Sequence, residues 1–127
     1  MRRLFIMLLL LRTNAHVLRV VDGDTILIDA PWVPKPLSKT IYLRVSGIDT
    51  PELFSPKCDK EYILAKAAKQ FTENFVLNPV SITFEKWDKY GGRIIGSVSY
   101  NEHNLSDALL KLGFARKYQG AAKGDWC

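Results

Sequence analysis

Apolar and polar positions begin to alternate at His16. Val17, Leu18, Val20 and Val21 run into Asp22-Gly23, and Ile26, Leu27 and Ile28 follow. Asp-Gly between two β-rich runs predicts a hairpin, because both turn residues tolerate positive φ. Pro31, Pro34 and Pro36 mark a loop around Trp32 and Val33. Ile41, Leu43 and Val45 then alternate with Tyr42, Arg44 and Ser46, which predicts a third strand with two distinct faces. That strand ends at Gly47-Ile48-Asp49-Thr50-Pro51, since proline cannot donate to a ladder. Pro56 to Asp59 leads into a helix with Leu64, Ala67, Ala68, Phe71 and Phe75 on one apolar face, and Asn78-Pro79 stops it. Val80, Ile82 and Phe84 alternate as a fourth strand. Ile94 to Tyr100 form a fifth, beyond the turn Asp88-Lys89-Tyr90-Gly91-Gly92. A second, short helix runs from Leu105 to Leu112, with Asn104 or Ser106 as cap and Gly113 as terminator.

Three strands, a helix, two strands and a helix predict a mainly β fold with α (α+β). The arrangement is a five-stranded OB-fold barrel with a helix between strands 3 and 4 and a short C-terminal helix. At 127 residues, 47% hydrophobic and 24% charged, the chain has room for one compact domain. The first fifteen residues read differently. Arg2 and Arg3 precede an unbroken apolar run, Leu4 to Leu11, and a short polar stretch ends in Thr13-Asn14-Ala15. This is the layout of a secretory signal peptide over 1–15, cleaved after Ala15, with the alternative of an amphipathic N-terminus. The run is too short to cross a bilayer as a helix. The domain then covers 16–127, exported, with no membrane anchor after processing and no protein partner evident: a monomer.

Export changes the charge argument. The net charge is +5, and removing Arg2, Arg3 and Arg12 takes three from that excess, leaving +2. So mild an excess is compatible with a polyanionic partner without establishing one. In an exported chain Cys58 and Cys127 read as a disulfide; in a reducing compartment they would be free thiols. Two cysteines without further partners speak against a zinc site.

Asp22, Asp24, Asp49 and Glu52 all fall at strand ends or turns. If the hairpin pairs with the third strand, Asp24 and Asp49 approach each other, and their oxygens suit a hard divalent cation. Singly, each is as readily a turn residue. Arg44 and Arg93 offer planar forks that match phosphate oxygens, although either alone reads as a surface arginine. Trp32, Trp87 and Tyr42 can stack on bases or simply pack. His16 and His103 have no partner that would make a nucleophilic pair.

Val21-Asp22-Gly23-Asp24-Thr25, then Leu43-Arg44 with Gly47-Ile48-Asp49-Thr50-Pro51-Glu52, then Asp88-Lys89-Tyr90-Gly91-Gly92-Arg93 resemble, in order and spacing, the thermonuclease (staphylococcal nuclease-like) family. The likeness extends from Val17 to Tyr118. It implies a Ca²⁺-dependent phosphodiesterase acting on DNA or RNA with low sequence specificity, leaving 3′-phosphate ends. Asp24 and Asp49 match the carboxylates that bind one Ca²⁺ ion, with Thr50 as backbone-carbonyl ligand and Asp22 as a supporting carboxylate. Arg44 and Arg93 match the catalytic, phosphate-binding arginines, and Glu52 matches the general base. Lys89, Tyr90 and Tyr118 match nucleic-acid contacts. The chain departs from the family at Gly91-Gly92, where members commonly have one glycine. Either Arg93 is displaced by one position or a bulge absorbs the extra residue; the second is our expectation. The long C-terminal helix of well-known members is missing, and Trp126 with a Cys58–Cys127 bridge is expected to replace it. A non-catalytic OB module that binds nucleic acid or protein is the alternative.

Overall fold

The computed structural model describes residues 12–14, 16–29, 40–89, 92–118 and 124–127. The prolines at 31, 34 and 36, together with Trp32, Tyr90 and Gly91, lie outside the described residues, as do residues 1–11 and 15 of the expected signal peptide. The elements are β1 (Arg12–Asn14), β2 (Val17–Asp22), β3 (Thr25–Asp29), β4 (Thr40–Val45), β5 (Ile48–Asp49), α1 (Asp59–Phe75), β6 (Ser81–Trp87), β7 (Arg93–Tyr100), β8 (His103–Asn104), α2 (Leu105–Lys111) and β9 (Arg116–Lys117).

The fold is α+β. One sheet runs β1-β6-β7-β4-β3-β2, β8 pairs with β7, and β5 pairs with β9 apart from it. All ladders are antiparallel except β4–β7, which sets Tyr42 beside Arg93 and Arg44 beside Ile95. The first and last strands of the sheet path, β1 and β2, follow each other in the chain, so the sheet begins and ends on one segment, as in an OB-fold. The five strands expected from alternation correspond to β2, β3, β4, β6 and β7. Ile26, Leu43, Ile82, Ile94 and Val98 fill the interior, with Leu105 and Leu109 of α2 closing one end.

Four local expectations change. First, the hairpin turn is Gly23-Asp24, since Asp22 pairs with Thr25. Neither residue has a left-handed φ; among the described residues the glycines that do are Gly47, Gly92 and Gly113. Gly23 is required for space instead. A β-carbon there would sit 2.9 Å from Ala68 Cβ and 3.0 Å from Thr50 Cγ2. The two-residue turn with two left-handed residues is Asn101-Glu102, between β7 and β8. Second, the buried line of α1 is Glu61, Ala65, Ala68 and Thr72 rather than the larger apolar set, whose Phe71 and Phe75 are only partly buried. Small residues are needed because this helix lies on the Gly23 turn, where Thr72 Oγ1 donates to Gly23 O at 2.7 Å. Third, the chain does not stay irregular after Gly47. Its left-handed φ of 78° turns it into β5, which pairs Asp49 with Arg116. Fourth, the β6–β7 ladder shifts register between Phe84 and Lys86, which alternation did not reveal, and Asp88 N donates to Arg93 O at 2.9 Å. The bulge expected at Gly91-Gly92 falls on Gly91, outside the described residues.

The chain ends tie back to this body. Cys58 and Cys127 form a disulfide with Cα atoms 6.1 Å apart, across 69 positions. Trp126 is buried, with the Arg116 guanidinium 4.1 Å over its ring. Cys58 is also the N-cap of α1, and its sulfur accepts from Glu61 N at 3.4 Å.

Candidate functional site

The Gly23-Asp24 turn, the outer face of β4 and the segment from β5 onward meet at one end of the sheet. Pairing of β3 with β4 sets Thr25 opposite Arg44, so the aspartate just before Thr25 falls within reach of the guanidinium. Arg44 Nη1 donates to Asp24 Oδ2 at 3.1 Å, and its Nη2 donates to Ile48 O at 3.3 Å and lies 4.0 Å from Asp49 Oδ1. Thr50 N donates to Asp24 Oδ2 at 3.2 Å, and Thr25 Oγ1 to Asp24 Oδ1 at 3.0 Å. Asp24 and Asp49 are each 4% exposed and Thr50 3%. The predicted ligand trio is thus gathered around one arginine.

These carboxylates do not share their charge evenly. Burial opposes ionisation of Asp24, but the hydrogen bond with Asp22, the Arg44 charge and the donors Thr25 and Thr50 outweigh it and hold Asp24 below the ordinary range. Asp22 goes the other way. Burial, then the hydrogen bond and charge of Asp24, with Glu52 adding its own charge, push it from 3.8 up to about 8. At neutral pH Asp22 is a proton donor to Asp24, and its backbone neighbour Asp24 N donates back to Asp22 Oδ1 at 3.2 Å.

A pH dependence follows. Between pH 3.8 and about 8 the folded state holds a proton on Asp22 that the unfolded chain has released, so this group lowers stability as pH rises through that window. Asp22→Asn removes the dependence. In chelator, the variant is expected to gain stability relative to the parent from pH 5 to pH 8, read by urea denaturation. A stability difference that is the same at both pH values would contradict it.

Buried oxygens of two aspartates beside a backbone carbonyl form an all-oxygen, negatively charged donor set. A hard divalent cation fits such a set. Among the described residues no three carboxylate, histidine or cysteine side chains form a complete cage. Asp24, Asp49 and the Thr50 carbonyl would therefore leave the remaining positions to water.

The other predicted residues divide. Tyr118 lies against the cluster, with Arg44 Cζ 5.4 Å from its ring centroid and its N–H donating to Gly47 O at 2.9 Å. Glu52 is half-buried and near enough to Asp22 to raise its pKa. Arg93 shares the outer sheet face with Arg44, two residues along in register, but its Nε donates to the buried Asp88 carboxylate. Lys89 is exposed at the tip of that hairpin. Tyr42, on the same face beside Arg93, is exposed and receives a hydrogen bond from Arg19 Nη2 at 3.1 Å. Tyr42 therefore does not pack into the core.

Sequence reasoning passed over Glu61 and Thr72, and gave Asp88 no role of its own. Glu61 is buried and accepts from Glu52 N and Lys57 N. A glutamate three residues after a cap residue was the available signal, obscured because cysteine is an unusual cap.

A family model described as Staphylococcal nuclease homologue matches residues 42–125. A thermonuclease of Staphylococcus hyicus is 33% identical over 113 residues, covering 81% of this chain and 63% of its own length. A thermonuclease of Staphylococcus intermedius is 34% identical over 103 residues, covering 79% and 56% respectively. An uncharacterized protein of Methanocaldococcus jannaschii is 34% identical over 125 residues, covering 80% and 58%. The chain thus spans about three fifths of the length of these curated relatives.

Proposed function

Because the chain belongs to the staphylococcal nuclease homologue family, we propose that it is a calcium-dependent nuclease that hydrolyses phosphodiester bonds of DNA or RNA with low sequence specificity. The observation that carries this reading is the seating of Arg44 against two buried aspartates, Asp24 at 3.1 Å and Asp49 at 4.0 Å. An arginine so placed is screened from solvent and aimed at the position where an anion would sit beside a cation. The names of the two staphylococcal relatives support nucleic acid as the substrate.

Asp24, Asp49 and the Thr50 carbonyl would hold one Ca²⁺ ion, which supplies positive charge against the phosphate and the attacking water. Arg44 donates its fork to the phosphate oxygens, exchanging an aspartate partner for the substrate, and Arg93 does the same on leaving Asp88. Both stabilise charge that grows as phosphorus becomes five-coordinate. Glu52 takes the proton of the water whose oxygen bonds to phosphorus. The bond from phosphorus to the 5′-oxygen breaks, that oxygen takes up a proton, and the phosphate stays on the 3′-oxygen. Lys89, Tyr90 and Tyr118 bind the flanking nucleotides.

The N-terminal segment directs export to an oxidising compartment that suits the disulfide. Because Arg12–Asn14 form β1 and pair with β6, cleavage after Ala15 would remove a strand of the sheet, so the acting monomer keeps these residues. No helix among the described residues is long and apolar enough to cross a membrane. The test is incubation of the purified protein with plasmid, single-stranded DNA and RNA, with Ca²⁺ and with chelator, followed by end-group analysis. Cleavage that needs Ca²⁺ and leaves 3′-phosphates is expected. Absence of cleavage in every condition sinks the enzyme and leaves a binding module.

A further inference from the structure

Glu61 is 3% exposed in the first turn of α1. Burying a carboxylate is costly unless its oxygens are paired, and both of these are. A glutamate three residues past a helix cap usually reaches back to the cap's own N–H. Here it reaches further. Oε1 accepts from Lys57 N at 2.7 Å and Oε2 accepts from Glu52 N at 3.2 Å. One carboxylate therefore ties both ends of the segment 52–57, whose middle carries Phe54 at 72% exposure.

The residues before this segment are fixed one after another. Asp49 pairs with Arg116, Thr50 N donates to Asp24, and Pro51 is buried with its φ set by the ring. Glu52 comes next, and its N–H goes to Glu61. The helix supplying that carboxylate is itself immobilised by Ala68 against the Gly23 turn, by Thr72 on Gly23 O and by the disulfide at its cap. Glu52 itself is half-buried on this anchored backbone, two residues past Thr50.

We propose that Glu61 is the positioning residue for Glu52, holding its backbone so that its carboxylate meets the attacking water; this rests on the reading of Glu52 as proton acceptor. Misplacement by about 1 Å costs up to 10²-fold in rate. Glu61→Gln keeps the shape, and its oxygen takes the closer donor, Lys57 N. Its NH₂ then faces Glu52 N, two donors meeting, and Glu52 is released.

The experiment combines kinetics with hydrogen exchange. Glu61→Gln is expected to lower kcat by about tenfold or more, with KM within about twofold, and to speed exchange of the Glu52 amide by about tenfold while the melting temperature hardly moves. In a Glu52→Gln background the same substitution should have no further effect on kcat. Glu61→Asp, one methylene too short to span both donors, should behave as Glu61→Gln does if the glutamine variant folds poorly. Unchanged exchange at Glu52, or an equal loss of kcat in both backgrounds, overturns the proposal. Full kcat in Glu52→Gln overturns the reading of Glu52 and the proposal with it. Loss of kcat in Glu52→Gln but not in Glu61→Gln sinks the positioning role alone.

Discussion

Arg44→Ala is expected to lower kcat by about 10³-fold in saturating Ca²⁺, and Arg44→Lys by about 10²-fold. The guanidinium presents parallel N–H groups to phosphate oxygens in a site where water is mostly excluded, its side chain being 14% exposed and that of Asp24 6%. Lysine keeps the charge but not the fork. Because Arg44 acts most strongly as negative charge grows in the transition state, the loss should fall mainly on kcat. The alanine variant also leaves Asp24 and Asp49 without their shared cation, so its metal-free form should be markedly less stable than the parent. Ca²⁺ should then raise its melting temperature more than it raises that of the parent. Steady-state kinetics and calcium-dependent thermal shifts read both effects. An alanine variant with more than about a tenth of parental kcat would remove Arg44 from the chemistry.

The second large effect is on stability. Removing the disulfide by Cys58→Ser with Cys127→Ser releases a closure across 69 positions. In the chain-entropy account this costs about 4 kcal/mol, a drop in melting temperature of about 15 °C for a domain of this size. More than chain entropy is at stake. Cys58 caps α1, and the segment at Cys127 keeps Trp126 under Arg116, whose strand holds Asp49. Reduction should therefore also lower activity below the melting range, as the β5–β9 pair loosens. Calorimetry of the oxidised, reduced and double-serine forms measures this. A melting temperature within about 3 °C of the parent in the serine variant would show that the bridge contributes little.

Much of the site was legible because its parts lie where sequence pattern is strongest. The alternation from Ile41 to Val45 put Arg44 on the outer face. The hairpin before it, paired in register, brings Asp24 within reach. What escaped were features that no hydrophobic period encodes. β5 and β9 are two residues each and have no period to read. The face of α1 was read in part: Ala68 is buried and Phe71 and Phe75 pack against the core, but apolar spacing could not show that Glu61, Ala65 and Thr72 are buried with Ala68, for a close approach and for hydrogen bonds. Gly23 was taken as a turn former with left-handed φ, when the space beside Ala68 is the reason for it. Arg93 had two expected destinations, displacement or a bulge, and its pairing with Asp88 was not among them.

The contact between Gly23 and Ala68 has a consequence for how such a sequence can change. A methyl group added at Gly23 meets both Ala68 and Thr50, and what gives way is the turn that carries Asp24. Ala68 is remote in sequence from Asp24 and Asp49, yet its volume is limited by the turn that carries Asp24. Along a lineage, these two positions are bound to vary together or not at all, so a bulkier residue at 68 should be tolerated only alongside a reshaped turn.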